Sequence, residues 1–296
     1  MEKNEMTLQG ALLESSSYFK KRGLANPRLE AEVLLCFALD LEKAALYAHP
    51  HKKLGSREME ALRQLVKRRG EGVPAAYLTK RKEFMGLQFA VNPHVLIPRP
   101  ETELLVEYII KACRQLWPQR GEEGEKNLEI LDLGTGSGAA AVSLACNLPG
   151  ARVTATDISF QALATARHNA SVNKVSDRLV FRQGDLFQAL PAAQKFHVIA
   201  CNPPYIPRAE LAYLSPEVRC EPSQALNGGE DGLYYYRIII REAKKHIKKP
   251  GLLALEIGCG QQEKVTGMCE AAGYWTHLSV KKDYAGIPRV LLAFHL

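Results

Sequence analysis

Long apolar runs are missing from this chain of 296 residues. No stretch approaches the roughly 18 consecutive apolar residues that a membrane span needs. The opening segment also lacks the basic-then-apolar pattern of an export signal. A cytoplasmic protein with no membrane partner is expected on both counts. Paired cysteines are missing too. The seven (Cys36, Cys113, Cys146, Cys201, Cys220, Cys259 and Cys269) are scattered, and none forms a C-x-x-C pair. That spacing argues against a zinc site or a disulfide framework, and no metal is expected. Most read as small buried hydrophobes. The formal net charge is +7, yet no Lys/Arg block is interleaved with aromatics. Direct nucleic-acid binding is therefore not required by the pattern. Repeats and low-complexity segments do not stand out. With 46% hydrophobic and 24% charged residues, the composition is that of a soluble globular protein. The length allows one large domain or two.

Residues 1–78 read as a small helical bundle. Leu8, Leu12 and Phe19 keep helical spacing, and Gly23 is a stop signal. Asn26-Pro27 reads as an N-cap followed by proline at the first helical position. Val33, Leu34 and Phe37 are expected to carry that helix inward. Ser56 is the expected cap of the next helix, with Met59, Leu62 and Val66 on one face. This region shows no chemistry of its own: it is either a cover or a docking module for a macromolecule. Residues 79–99 change to period two. Phe84, Leu87, Phe89 and Val91 alternate, Asn92-Pro93 reads as a turn, and Val95 and Ile97 resume, as in a β-hairpin linking two domains. Glu101 or Thr102 is the expected start of the helix that follows. Residues 100–296 form the second domain, and within it 118–127 read as a charged surface loop.

From residue 128 strand and helix patterns alternate. Strands are expected at Leu128–Leu133, Arg152–Thr156, Leu179–Arg182, 196–201 and Leu252–Ile257, with helices between them. A closing pair follows near 276–281 and 289–294. Repeated βα units predict an α/β fold with a mostly parallel sheet covered on both faces, and the closing pair a hairpin at one edge.

Two stretches carry chemistry. Gly134-Thr135-Gly136-Ser137-Gly138 follows the first of these strands and opens a helix. Glycines there permit a tight turn and close approach of backbone to a ligand, and the helix start offers free N–H groups. Asp157 ends the next strand, placed to accept both hydroxyls of a ribose. Asp185 ends the third, suited to an adenine amine, with Leu186 and Phe187 to pack on the base. An adenosine-type ligand is indicated, although Gly134, Gly136 and Ala139 also satisfy a dinucleotide pattern. The fourth strand ends in Asn202-Pro203-Pro204-Tyr205. Proline fixes its own φ and holds the preceding residue extended, so this turn is stiff. Asn202 brings one amide acceptor and two donors, the Pro203 carbonyl a further acceptor, and Tyr205 a flat face. That set suits a planar group bearing an NH2. A nicotinamide enzyme would want a proton donor or metal at this position instead.

Asn202–Tyr205 behind Gly134–Gly138 resembles the S-adenosylmethionine-dependent amino-methyltransferases. The stretches FMGLQF at 84–89, VLIPRPETE at 95–103, EPSQAL at 221–226, Asp231-Gly232-Leu233 and PGLLALEIGCGQ at 250–261 narrow the match. Together they resemble the peptide chain release factor N(5)-glutamine methyltransferases (the PrmC/HemK family), over nearly the whole chain. The ribosomal-protein glutamine methyltransferases are the nearest alternative, and a DNA amino-methyltransferase a more distant one. Pro250-Gly251-Leu252 departs from the family pattern where a second glycine is expected. The resemblance implies a class I, Rossmann-like methyltransferase fold, a seven-stranded sheet with one antiparallel edge strand. It implies S-adenosyl-L-methionine as cofactor and the glutamine of a release-factor Gly-Gly-Gln loop as substrate. Carried over, Gly134, Thr135, Gly136, Ser137, Gly138, Asp157, Asp185, Leu186 and Asn202 are expected to hold the cofactor. Asn202, Pro203, Pro204, Tyr205 and Arg99 are expected to hold the substrate, and Asn202, Pro203 and Tyr205 to act in catalysis.

Overall fold

The computed structural model describes residues 6–118 and 128–296. Of the charged stretch 118–127, all but Pro118 lies outside the described residues. The chain divides into two compact units. One is Met1–Lys80 with Leu214–Cys220; the other is Arg81–Tyr213 with Glu221–Leu296.

The smaller unit holds helices α1 (Leu8–Lys21), α2 (Pro27–Leu39), α3 (Lys43–Ala48), α4 (Ser56–Gly70) and α5 (Ala75–Thr79). Leu8, Leu12, Phe19, Leu34, Leu35 and Leu62 form its core. Pro27 takes the first position of α2, after Asn26. The buried stripe of α2 is Ala31, Leu34 and Leu35, whereas Val33 and Phe37 are each 39% exposed. From Val33 to Leu39 every position of this helix is apolar, so spacing alone does not say which face turns inward. The cap of α4 is Gly55 and not Ser56: Glu58 Oε2 accepts the Gly55 N–H at 2.7 Å. Arg69 is fully buried and is held by Glu30 at 2.8 and 3.0 Å. It also donates to Glu217 at 2.6 Å, within the segment 214–220. A buried guanidinium needs such partners, and this pairing ties that segment into the helical unit.

The larger unit opens with the hairpin β1 (Arg81–Phe84) and β2 (Leu87–Ala90). Its turn is Met85-Gly86, at φ 53° and 72°, not Asn92-Pro93. A non-glycine residue at positive φ is a weak turn signal, while Pro93 is a strong one that marks only the exit from β2. Asn169 fastens the hairpin: its Oδ1 accepts the Ala90 N–H at 2.7 Å, and its Nδ2 donates to the Ala90 carbonyl at 3.0 Å. Helix α6 (Pro100–Leu116) starts one or two residues before expected, with Arg99 at its cap and Pro100 at its first position.

There follow β3 (Leu128–Leu133), α7 (Ala139–Asn147), β4 (Ala151–Asp157), α8 (Phe160–Val172), β5 (Leu179–Gln183) and β6 (Phe196–Cys201). A short α9 (Pro216–Arg219) falls in the segment that joins the smaller unit. Then come α10 (Tyr234–His246), β7 (Ile247–Glu256), α11 (Gln262–Ala272), β8 (His277–Lys282) and β9 (Pro288–His295).

The seven strands run in the order β5-β4-β3-β6-β7-β9-β8. The first five are mutually parallel, with Leu133 opposite Thr156 on one side and Cys201 on the other. Alternate side chains enter two cores. Ile130, Val153, Val198 and Leu252 meet α6 and α7 residues. Leu131, Ile199, Leu253 and Leu255 meet α10 and α11 residues. Burial on both faces explains the nearly continuous apolar strand sequences. The antiparallel strand is β9, paired to both β7 and β8. It is therefore not at the edge; β8 is. The sequences account for this, since Val290–Ala293 of β9 are buried while no residue of β8 is.

Candidate active site

The carboxyl ends of β3, β4, β5 and β6 face one cavity of about 370 Å³. It sits where neighbours on either side of β3 arise from opposite directions along the chain, the usual ligand position in an open parallel sheet. Its size is in the range of small-molecule sites.

The glycine turn takes φ of 68°, 55° and 80° at Gly134, Gly136 and Gly138. These are left-handed values that a side chain would strain. Gly134 and Gly136 line the cavity. Thr135, Ser137 and Gly138 do not; they shape the turn from behind. Thr135 Oγ1 donates to Asp132 Oδ2 at 2.6 Å, and the Ser137 carbonyl accepts from Asn169 Nδ2 at 2.8 Å. Gly138 packs against Ala166, where an added Cβ would stand 3.0 Å from the alanine methyl. Burial pushes the Asp132 carboxyl up to about 7, against the pull of its Thr135 hydrogen bond.

Asp157 lines the cavity at the end of β4. Its Oδ2 accepts the Gly136 N–H and its Oδ1 the Ser159 N–H, each at 2.8 Å. Burial raises its pKa despite those bonds. A carboxylate has about four acceptor positions, so these bonds leave room for a further donor. Asp185 and Leu186 line the same cavity from the end of β5, with Ile158, Ala162, Val95 and Leu96 supplying apolar wall. Leu186 itself adopts φ 47°. This donor set fits S-adenosylmethionine: a carboxylate acceptor in the cavity for a diol, an apolar wall for a flat base, and a side-chain-free turn beside them.

Asn202, Pro203 and Pro204 line the cavity as well. Asn202 Nδ2 donates to Thr102 Oγ1 at 3.0 Å, and Thr102 Oγ1 donates to Glu256 Oε2 at 2.6 Å. Burial pushes Glu256 up to about 7, opposed chiefly by the Thr102 hydrogen bond. Tyr205 is not among the lining residues. Its ring packs against the core beneath α10, and burial pushes its hydroxyl up to about 12, so it is a neutral phenol. Its carbonyl accepts from Gln261 Nε2 at 2.9 Å. Gly228 and Gly232 crowd the same backbone, where a Cβ at either would collide with Tyr205. Arg99 is also outside the lining; it pairs with the buried Glu221, whose other oxygen accepts the Ile97 N–H at 3.0 Å.

Sequence reasoning missed Thr102, Glu256 and Gln261 as supports, and His94, Gln224 and Tyr235 as lining. Thr102, Gln224, Glu256 and Gln261 lie inside stretches that carried the family resemblance. His94 and Tyr235 had no signal beyond that. Among the described residues, no group of three or more His, Cys, Asp or Glu is placed to hold a metal ion. None of the helices described is long and apolar enough to cross a membrane.

A doubly wound sheet, a glycine turn after β3, a carboxylate ending β4 and Asn-Pro-Pro-Tyr ending β6 define an S-adenosylmethionine-dependent methyltransferase of class I. Two family models match the chain: a PrmC N-terminal domain over residues 10–79 and a methyltransferase domain over residues 124–285. The release factor glutamine methyltransferase of Moorella thermoacetica is 43% identical, over 98% of this chain and 99% of that one. The protein of the same name from Geobacter sulfurreducens is 40% identical, over 96% and 95%. The chain belongs to the release factor glutamine methyltransferase family. Solved structures share the fold at lower identity. A methyltransferase from Pyrococcus furiosus has a TM-score of 0.50 at 23% identity, covering 72% of this chain and 91% of that one. The hMettl16 catalytic domain in complex with MAT2A 3'UTR hairpin 6 has 0.56 at 17%, covering 75% and 80%.

Proposed function

We propose that this chain transfers a methyl group from S-adenosylmethionine to the side-chain amide nitrogen of the glutamine in the Gly-Gly-Gln loop of peptide chain release factors. The observation that carries this reading is Asn202 and Pro203 sharing one cavity with Asp157 and the glycine turn. Family membership supplies the substrate class, since relatives matched end to end carry that activity in their names.

An amide nitrogen is a weak nucleophile because its lone pair is conjugated with the carbonyl. When bound, the cofactor supplies an electrophilic methyl group on a sulfonium. Gly134, Gly136, Asp157, Asp185 and Leu186 hold it, with Thr135, Ser137 and Gly138 setting the turn. Asn202 Oδ1 and the Pro203 carbonyl accept the two N–H bonds of the glutamine amide. Held this way, the amide plane is fixed, and a face of the nitrogen can be presented to the methyl group. The same oxygens stabilise the positive charge that grows on nitrogen as the N–C bond forms and the C–S bond breaks. Orientation of this kind supplies up to roughly 7–11 kcal/mol, and a preorganised polar contact about 3–4 kcal/mol. The cationic product then loses a proton to water, so no general base is needed beforehand. Pro204 stiffens the turn, and Tyr205 anchors it from the core side. Arg99 fixes the substrate edge through Glu221. The helical unit, residues 1–78 and extended by 214–220, is the docking module for the release factor.

Transfer of labelled methyl from S-adenosylmethionine tests the reading. Label should enter wild-type release factor, and not its Gln→Ala loop variant or duplex DNA. Label on DNA, or equal label on the loop variant, would overturn it.

A further inference from the structure

Asn202 has two chemically opposite ends, and the function proposed above needs its oxygen, not its nitrogen, to face the substrate. Behind it stand two side chains that the mechanism has not used. Thr102 lies in the first turn of α6 and is 8% exposed. Glu256 is the last residue of β7 and is 1% exposed. A hydroxyl has one proton to give. Thr102 gives its proton to the Glu256 carboxylate at 2.6 Å, so its oxygen can only accept from Asn202. The amide must then turn its NH2 toward Thr102, as it does at 3.0 Å. Rotated by half a turn, it would set Oδ1 against a Thr102 lone pair and point NH2 into the cavity. In a buried setting each such mismatch is costly.

We propose that Thr102 and Glu256 are positioning residues that lock the Asn202 amide as an acceptor, so that the site takes an N–H-bearing amide and refuses a carboxylate. The inference rests on Asn202 binding the reacting amide. A glutamine differs from a glutamate at this point only in carrying two N–H donors where the acid carries an oxygen. An acceptor locked in place welcomes the first and repels the second. Selectivity of this kind comes from the mispaired buried group, not from shape.

The test uses the full chain at about pH 8.5, above the value of about 7 to which burial pushes Glu256. Thr102→Val keeps the shape and removes the relay. It should lower kcat roughly 100-fold, with KM for release factor changing less than about threefold. Thr102→Ser should recover kcat to within about threefold, because it restores the hydroxyl. In an Asn202→Ala background Thr102→Val should cost nothing further, as expected for residues acting through one another. A release factor carrying Gln→Glu in its loop should inhibit Thr102→Val better than it inhibits wild type. Should Thr102→Val fail to fold, Thr102→Ala, which removes the same hydroxyl, carries the same expectations. A folded Thr102→Val enzyme with kcat within about twofold of wild type would overturn the relay. So would an equal loss in the Asn202→Ala background. Wild-type enzyme that leaves release factor unlabelled would instead overturn the functional reading beneath it.

Discussion

Replacing Asp157 by alanine separates what the carboxylate does for the fold from what it does for the cofactor. In the fold, its two oxygens accept the Gly136 and Ser159 N–H groups. Those bonds favour the ionised form, yet burial still leaves the pKa raised, so the charge is not at ease there without a ligand. Removing it therefore deletes two hydrogen bonds and relieves an unfavourable burial, and the two effects on stability oppose each other. The cofactor has no such compensation. Two hydroxyls donating to a charged acceptor are worth about 1.5–3 kcal/mol each. Losing both costs about 3–6 kcal/mol, which raises the dissociation constant by roughly 100- to 10,000-fold. Titration calorimetry with S-adenosylmethionine reads this directly, beside a thermal melt of the same preparation. A variant that melts like wild type and binds within about threefold of it would refute the assignment of Asp157.

Three further outcomes are expected. Asn202→Ala should change cofactor affinity far less than Asp157→Ala does but lose roughly 100-fold in kcat, as for removal of one preorganised polar contact; equal turnover would remove Asn202 from the mechanism. Gly232→Ala must place a side chain at φ 75° and drive its Cβ against the Tyr205 carbonyl. It should cost at least about 1–2 kcal/mol and lower turnover together with stability in a combined melt and methyl-transfer assay; an unchanged enzyme would contradict the crowding. His197 accepts the Glu129 N–H at 3.0 Å, and burial, helped by Lys248, pulls its pKa from 6.5 to about 4. The unfolded chain then takes the proton first, so this site stabilises the fold above pH 6.5 and loses that contribution as pH falls toward 4. His197→Asn keeps an acceptor without the titration, so urea midpoints at several pH values should fall less steeply on the acid side than in wild type. Parallel curves would show that His197 is not the group responsible.

The parts of this molecule that were legible in its sequence are those whose signals are local. The glycine turn, Asp157 and Asn202–Tyr205 each follow an apolar run of strand length, and the structure brings Gly134, Asp157 and Asn202 to one cavity. What stayed hidden depends on distance along the chain. Thr102 lies 100 residues from Asn202 and 154 from Glu256, so no window of sequence contains their contact. Thr102 looks like a helix start and Glu256 like the end of a strand, and each reading is locally sufficient. The hairpin turn was misplaced because Met85 accepts φ 53°, a conformation its composition does not advertise. Tyr205 reads as a free aromatic face, but the core beneath α10 competes for it, and only packing decides that contest.

The placement of β9 has a consequence for how the protein comes into being. It is the seventh strand of the sheet to leave the ribosome, yet it separates β7 from β8 and supplies the partner that each of them pairs with on that side. Five parallel strands can collect as they are made, but β8 has nowhere to dock until residues 288–295 have emerged. During that interval the apolar face of β7 and its unpaired edge stay open to other chains. A stop codon in this last stretch would thus do more than trim an end. It would take out an inner rung of the sheet, leaving β8 without a partner and β7 with one open edge.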